Sequence, residues 1–271
     1  MANSTTTQYP QRIAMLSVHT SPLAPLGRDK TGGMNVYVRD FSRELSRQGI
    51  GVDIFTRATA VDQPLVEPMA DDVRVVHVPA GPRQPINVNK LSHYLAEFSD
   101  GVLRFAGDQA VRYDLIHSHY WLSGLVADQL HSAWGGLPRV QMFHTLGHMK
   151  NEVAQSEHER APDERITGEC GIMQRADRLI APTETEHKQL VNYYGANPQK
   201  IVVIPPGVDL TRFHAIDKEH ARARVNLPAD RRHIVFTGRI EPLKGIDTLL
   251  HAIALLRKRR PELTDNARVT I

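Results

Sequence analysis

The segment "GRDKTGGMNVYVRDFSREL" (Gly27–Leu45) contains the transition that decides the fold. The segment before it, "RIAMLSVHT" (Arg12–Thr20), is an apolar run of the kind that forms a buried strand. After Gly33 the apolar residues recur every three or four positions, which predicts a helix with one face packed on a sheet. Gly49 is expected to end this helix, and "GVDIFTR" (Gly51–Arg57) to form the next strand.

Two adjacent glycines, Gly32 and Gly33, lie on the predicted turn between the first strand and the first helix. Because glycine has no side chain, a ligand can approach the first amides of the helix, whose free N–H groups favour an anion such as phosphate. The alternative is that the glycines only provide unusual backbone angles. The segment matches neither a P-loop nor the G-x-G-x-x-G pattern, so the turn alone leaves both explanations open.

Composition limits the classes of protein to which the chain can belong. It has 271 residues, enough for one large or two ordinary domains, and its net charge of +3 is too small to indicate nucleic acid binding. No apolar run approaches the roughly 20 residues of a membrane span, and residues 1–12 resemble a flexible tail rather than a signal peptide. The single cysteine, Cys170, fits a reducing compartment. We therefore expect a soluble cytoplasmic protein without a nucleic acid partner or a membrane span.

Strand-like and helix-like segments alternate along most of the chain, which predicts an α/β fold with a parallel sheet covered by helices on both faces. We expect a complete domain in residues 13–215, a crossover in residues 216–232 and the start of a second domain in residues 233–271. One helix and two strands are too few for an independent domain, so this second domain is expected to be incomplete. Further strands are predicted at Val73–Ala80, Tyr113–Tyr120, Arg139–Thr145, Arg178–Thr183 and Lys200–Gly207.

Polar residues follow several of these strands, at the carboxyl edge where ligands of parallel α/β sheets bind. They include His19, Thr20, Asn35, His119, Tyr120, His144 and Thr145. In the second domain Arg239 and Lys244 lie five residues apart on one loop, and such a pair of fixed cations can hold a diphosphate.

Five segments occur in the same order as in the retaining glycosyltransferases of family 4, which the chain resembles over about residues 13–271. They are "SVHTSPLAPLG…GGMNVYV", "DLIHSHYWLSG", "FHT", "IPPGVD" and "GRIEPLKG". The resemblance implies a GT-B fold, in which two Rossmann-like domains enclose the site. It also implies a hexosyltransferase that moves a sugar such as N-acetylglucosamine or glucose, with retention, from a nucleotide-diphosphate donor expected to be UDP-linked.

The resemblance assigns donor-side roles to individual residues. Gly32 and Gly33 are expected to face the donor diphosphate and the reacting sugar. Arg239 and Lys244 match the basic pair that neutralises the leaving diphosphate, which lowers the barrier because charge builds there in the transition state. His144 matches a histidine near the transferred sugar, and we expect His144, Arg239 and Lys244 to be the catalytic residues.

The family members that the chain resembles most use inositol phosphate as acceptor. The residues that hold its phosphate match Lys90, Tyr120, Thr145 and Arg165 of this chain, and Asn35 matches a residue beside the inositol ring. Each also has a simpler explanation: Lys90 and Arg165 as solvated surface charges, and Tyr120 as a packing residue. The sequence departs from the family pattern at His148, where a lysine is common. The family's second-domain pair of glutamates lies beyond Ile271, so we expect the 271-residue chain alone to be inactive.

Several alternatives stay open at this point. His117 and His119 face the same side of a strand and could bind a metal, although no ligand pattern accompanies them. An NAD-dependent oxidoreductase is disfavoured because Asp53 has the right spacing but the glycine fingerprint is missing. Transfer to a sugar phosphate, as in sucrose-phosphate synthases, and a non-catalytic acceptor-binding module are further possibilities. No tightly bound cofactor or metal is expected, and whether Mg²⁺ accompanies the donor and whether the chain forms a homodimer are left open.

Overall fold

The computed structural model describes residues 9–25, 32–238, 240 and 244–271 of the chain. The chain divides into two compact units. The first comprises Met1–Met149 and Ala161–Pro206, and the second comprises Lys150–Arg160 and Gly207–Ile271. No helix in the part of the chain that is described has the length and apolar character needed to cross a membrane.

Eight strands of the first unit form one sheet in the described part of the chain. They are β1 (Arg12–Leu16), β2 (Gly51–Arg57), β3 (Val66–Ala70), β4 (Val73–Val78), β5 (Leu115–His119), β6 (Arg139–Met142), β7 (Arg178–Ala181) and β8 (Ile201–Val203). Their order across the sheet is β3-β4-β2-β1-β5-β6-β7-β8. All neighbouring pairs are parallel except β3 with β4, which is antiparallel. The predicted parallel α/β sheet is therefore confirmed.

Helices cover both faces of this sheet. Those that begin in the first unit are α1 (Gly33–Arg47), α2 (Leu95–Asp108), α3 (Trp121–Ala133), α4 (Gly147–Val153), α5 (Asp163–Arg175) and α6 (Glu184–Tyr194). Successive side chains of a strand point to opposite faces, and β1 shows the consequence. Met15 belongs to the smaller core under α1, whereas Ala14 and Leu16 belong to the larger core, to which α2 and α3 contribute.

The first strand–turn–helix unit agrees with the prediction from sequence. Helix α1 ends at Arg47, and Gly49 follows with a positive φ of 81°, a conformation that favours glycine. Among the elements described so far, strand β3 and helix α4 were not predicted. Strand β3 contains Pro68, which lacks an N–H and is tolerated because β3 lies at the edge of the sheet.

The second unit contains a short β–α–β segment preceded by a helix. The helix is α7 (Lys218–Arg224), and the segment consists of β9 (Arg232–Val235), α8 (Ile246–Arg259) and β10 (Ala267–Thr270). Strands β9 and β10 pair in parallel, so the predicted fresh strand–helix–strand unit is present. The predicted apolar face of α8, formed by Leu249, Ile253 and Leu256, is half-buried.

Candidate functional site

The carboxyl ends of three adjacent strands, β5, β6 and β1, form the centre of the candidate site. Two residues just beyond these strands have positive φ values: Tyr120, directly after β5, at 73°, and His144, two residues after the end of β6, at 62°. Residues other than glycine rarely adopt this conformation, which costs of the order of 1–3 kcal/mol and is concentrated at functional sites. The ring of His19, in the loop after β1, lies 4.4 Å from that of Tyr120. The predicted rim residues of the three strands therefore meet at one edge.

Asn35 fixes the loop after β1 against the start of α1. It is 2% exposed, and its Nδ2 donates to Thr20 Oγ1 and to the carbonyl oxygen of Ser21, both at 2.6 Å. Its Oδ1 accepts from the N–H of Gly32 at 3.2 Å. The amide of Asn35 is thus bonded at both ends to the polypeptide that forms the rim of the site.

The two glycines at the start of α1 are not explained by backbone angles or packing. Neither has a positive φ, and no described atom lies within 4 Å of a Cβ placed on Gly32 or on Gly33. No acidic side chain occupies the first turn of α1. Among the described residues, therefore, nothing fills the space beside Gly32 and Gly33, as an approaching anion would require.

A buried arginine joins β5, β6 and α5. Arg165 is 5% exposed, and its Nε donates to Glu169 Oε1 at 2.7 Å. Its Nη1 donates to the Tyr120 hydroxyl at 3.1 Å. Its Nη2 donates to the Thr145 carbonyl oxygen at 2.7 Å and to Thr145 Oγ1 at 3.2 Å. The description of Arg165 as a solvated surface charge is therefore wrong.

Counting donors shows how much of Arg165 is left for a ligand. A guanidinium has five N–H groups in a fixed fork, and the four bonds to Glu169, Tyr120 and Thr145 use four of them. One N–H of Nη1 has no partner among the described residues, and Thr145 is itself exposed. The geometry therefore presents one fixed cationic donor beside two hydroxyl groups.

Glu169 holds the side chain of Arg165 in place. It is fully buried and also accepts from the Gly147 N–H, at 2.9 Å to Oε2, and from the Tyr194 hydroxyl. Burial, followed by the charge of Glu169, raises the pKa of Tyr194, so this hydroxyl stays protonated as a donor. The same hydroxyl accepts from the backbone N–H of His148 at 3.0 Å. The backbone of His148, at the position where the family often has lysine, is thus hydrogen-bonded to the residues that support Arg165.

Lys90 is not bonded to this group. It is exposed in a short 3₁₀ helix, Val88–Tyr94, whose Ser92 Oγ donates to Glu164 at 3.4 Å at the start of α5. The structure thus brings Tyr120, Thr145 and Arg165 together, and leaves Lys90 as a surface charge on a neighbouring segment.

Two buried histidines, His117 and His119, and the half-buried His144 form a second group beside the rim. The rings of His117 and His119 lie 4.3 Å apart, and His119 Nδ1 is 2.9 Å from His144 Nε2. Burial lowers the pKa of His117 to about 4 and that of His144 to about 3, and it lowers the pKa of His119 well below its usual value. All three rings are therefore neutral at pH 7. In the described ranges no group of three or more His, Cys, Asp or Glu side chains is arranged to hold a metal ion.

Sequence reasoning missed Glu169, Tyr194 and Tyr37, whose ring contacts both His119 and His144. For Glu169 a signal exists, because it follows Arg165 by four residues on one helix, the spacing of a helical ion pair. Tyr194 is brought to the site by the packing of α6, and no local pattern indicates this.

On the second unit, only one predicted donor-binding residue can be described. Lys244 is exposed and directly precedes Gly245, which has a φ of 69° at the start of α8. Its Cγ would lie 4.0 Å from a Cβ placed on Gly238, so its side chain approaches Gly238. Arg239 lies outside the described residues.

The chain is similar to known proteins over most of its length. It is 44% identical to "D-inositol 3-phosphate glycosyltransferase" of Kineococcus radiotolerans, over 96% of this chain and 60% of that protein. It is 46% identical to the protein of the same name from a Nocardioides species, over 96% of this chain and 57% of that protein. A sucrose-phosphate synthase structure from Thermosynechococcus elongatus superposes with a TM-score of 0.82 at 31% identity, covering 96% of this chain and 70% of that one.

The chain therefore spans about 60% of the length of the curated relatives that it matches. Residues 31–212, which include all the candidate residues of the first unit except those of the loop after β1, match the family description "Glycosyltransferase Family 4". The chain belongs to glycosyltransferase family 4, and its α/β fold is of the GT-B type.

Proposed function

We propose that the protein, in its whole length, transfers a sugar with retention from a UDP-linked donor to inositol phosphate or a closely related phosphorylated polyol. The observation that carries this proposal is the Arg165 group at the carboxyl edge of the sheet. The names of relatives at 44–46% identity support inositol 3-phosphate as the acceptor. Cys170, the one cysteine of the chain, fits the cytoplasmic location that we also propose.

The acceptor phosphate would bind at the free N–H of Arg165, with the hydroxyl groups of Tyr120 and Thr145 as further partners. Charge-assisted hydrogen bonds of this kind contribute roughly 1.5–3 kcal/mol each. Burial of Arg165 among fixed partners means that little side-chain entropy is lost when the phosphate binds. Lys90, on the neighbouring surface segment, would add a mobile positive charge.

The donor diphosphate would lie against the first amides of α1, beside Gly32 and Gly33, with Lys244 and Arg239 as cations on the second unit. These cations would stabilise the negative charge that develops on the leaving diphosphate. His144, neutral at pH 7, would hydrogen-bond the transferred sugar. The proposal includes no tightly bound cofactor, and Mg²⁺ dependence is to be measured by chelation.

Binding of inositol 3-phosphate to the 271-residue chain tests the acceptor site directly. Isothermal titration should show binding that unphosphorylated inositol does not reproduce. Arg165→Ala should weaken it by about ten- to a hundredfold, which corresponds to roughly 1.4–2.7 kcal/mol. Lys90→Ala, at an exposed position where folding is unaffected, should weaken it several-fold. Arg178→Ala, an exposed arginine on β7, is the matched control and should change nothing. Equal affinity in all four proteins would contradict the placement of the phosphate.

Transfer itself is tested with the whole encoded polypeptide. Release of UDP from UDP-sugars in the presence of inositol 3-phosphate, with the product's anomeric configuration read by NMR, is the expected result. The similarity to sucrose-phosphate synthase makes a sugar phosphate the second candidate acceptor, so fructose 6-phosphate is assayed in parallel. Binding of inositol 3-phosphate without turnover from any donor would instead indicate a non-catalytic binding module.

A further inference from the structure

His119 lies directly behind His144 and is the residue that contacts its ring nitrogen. It is 0% exposed at the end of β5, and its Nδ1 lies 2.9 Å from His144 Nε2. Its other nitrogen, Nε2, is buried and has no hydrogen-bond partner among the described residues. The Tyr37 ring packs edge-on against both imidazoles, with centroids 5.7 Å from His119 and 5.3 Å from His144. Both rings are thereby held in orientation.

Two neutral arrangements of this pair are possible, since one ring must donate and the other must accept. If His144 donates from Nε2, the proton of His119 lies on its own Nε2, as a buried N–H without an acceptor. If His119 donates from Nδ1, its Nε2 keeps only a lone pair, and the proton of His144 lies on Nδ1. Buried N–H groups without a partner are rarer in proteins than acceptors without one. The second arrangement is therefore the more stable.

We propose that His119 is a positioning residue that donates its Nδ1–H to His144 Nε2 and fixes His144 as the tautomer protonated on Nδ1. The remaining hydrogen-bonding group of His144 is then an N–H, which can donate to a sugar oxygen but cannot accept a proton. His144 acts by this account as a neutral donor rather than as a general base. The functional consequence rests on the proposed function, whereas the tautomer does not.

The tautomer can be measured without any activity. Two-bond ¹H–¹⁵N spectra of the histidine-labelled 271-residue chain at pH 7.5 distinguish rings protonated on Nδ1 from those protonated on Nε2. His131 and His77 provide internal references, because their Nδ1 atoms face the carbonyl oxygens of Leu137 and Pro64 and must carry protons. We expect His119 and His144 to share this Nδ1–H pattern, with His144 assigned by its loss in His144→Asn. A His144 ring protonated on Nε2 would overturn the proposal.

Substitution of His119 tests the consequence for transfer. Asparagine places an amide N–H near the position of Nδ1, whereas leucine removes the donor and keeps the volume. In the whole enzyme, we expect His119→Leu to lower kcat ten- to a hundredfold with little change in acceptor KM, and His119→Asn to recover most of it. His131→Asn, remote from the rim, is the matched control. Equal loss in His119→Leu and His119→Asn, with both folded, would contradict positioning by donation. No transfer by the unmodified enzyme would contradict the proposed function and leave the NMR result standing.

Discussion

Two buried polar groups, one near each end of the strands of the same sheet, differ in whether they have hydrogen-bond partners. At the amino end, Asp53 of β2 is fully buried and accepts from three side chains. Arg74 donates to it at 2.8 and 2.7 Å, Tyr113 at 2.7 Å and Arg12 at 3.2 Å. Both oxygens of this carboxylate have partners, and the group connects β1, β2 and β4 to Tyr113, two residues before β5.

At the carboxyl end, buried polar atoms are left without partners. His117 Nε2 and His119 Nε2 have none among the described residues, and Tyr120 and His144 adopt unfavourable backbone conformations. Unpaired buried groups and backbone strain both cost stability. The fully bonded Asp53 carboxylate indicates a stabilising role, whereas the unpaired ring nitrogens and the unfavourable backbone conformations indicate that the carboxyl end serves ligand binding.

This contrast also accounts for Asp53, whose spacing after the glycines resembles that of a ribose-binding acid in a dinucleotide site. Asp53 lies at the amino end of the sheet, and ligands of parallel sheets bind at the carboxyl end. Its oxygens are already bonded to arginines and a tyrosine. The spacing is therefore unrelated to nucleotide binding.

The largest effect is expected from Asp53→Asn, which removes the charge and keeps the shape. Breaking a buried ion pair costs about 3–5 kcal/mol, and the partial exposure of both arginines places the loss near about 3 kcal/mol. Urea unfolding measures this change. Asp72→Asn is the control, because Asp72 pairs with Arg12 from a 57% exposed position and should cost below about 1 kcal/mol. Similar losses in the two variants would show that the amino-end group is not the stabilising element.

The next effect is a loss of stability in acid that originates at the carboxyl end. The folded pKa of His117, about 4, lies below its value of 6.5 in the unfolded chain, so the unfolded state binds its proton first. The stability is therefore present above pH 6.5 and is lost as the pH falls from 6.5 towards 4. Each such histidine contributes a slope of up to about 1.4 kcal/mol per pH unit.

Urea unfolding at pH values between 6.5 and 4.5 measures this slope. His117→Leu should reduce it by up to about 1.4 kcal/mol per pH unit, while changes in carboxylate protonation affect both proteins alike. His220→Gln is the control for replacing a histidine outside this buried group, since its side chain is 85% exposed on α7. An identical slope in His117→Leu and the unmodified protein would show that His117 is not held neutral by burial.

The sequence predicts those features of the fold and of the candidate site that depend on local periodicity. Alternating strands and helices gave the parallel sheet, and their ends gave the rim that contains His144 and Thr145. The edge strand β3 escaped prediction because Pro68 argues against a strand, and only the position at an edge makes it acceptable. The burial of Arg165 was also not predicted, because it depends on Glu169, Tyr120 and Thr145 converging from three separate elements.

The smallest change in stability is expected from a substitution of Gly33 at the start of α1. This substitution separates the two explanations of the glycines, which are unusual backbone angles and access for a ligand. A Cβ on Gly33 meets no described atom and φ is not positive, so Gly33→Ala should leave the free energy of unfolding within about 0.5 kcal/mol or raise it slightly. Gly81 is the matched control, because its φ is 64° and a Cβ there would lie 2.5 Å from the Tyr94 ring. Gly81→Ala should therefore cost more than about 1 kcal/mol, with the activity of the folded fraction unchanged.

If the diphosphate lies against the Gly33 amide, Gly33→Ala should lower kcat/KM of the whole enzyme by about tenfold, since a methyl group then occupies the space of the ligand. A Gly33→Ala enzyme that is both stable and fully active would mean that the open space before α1 is not where the donor binds.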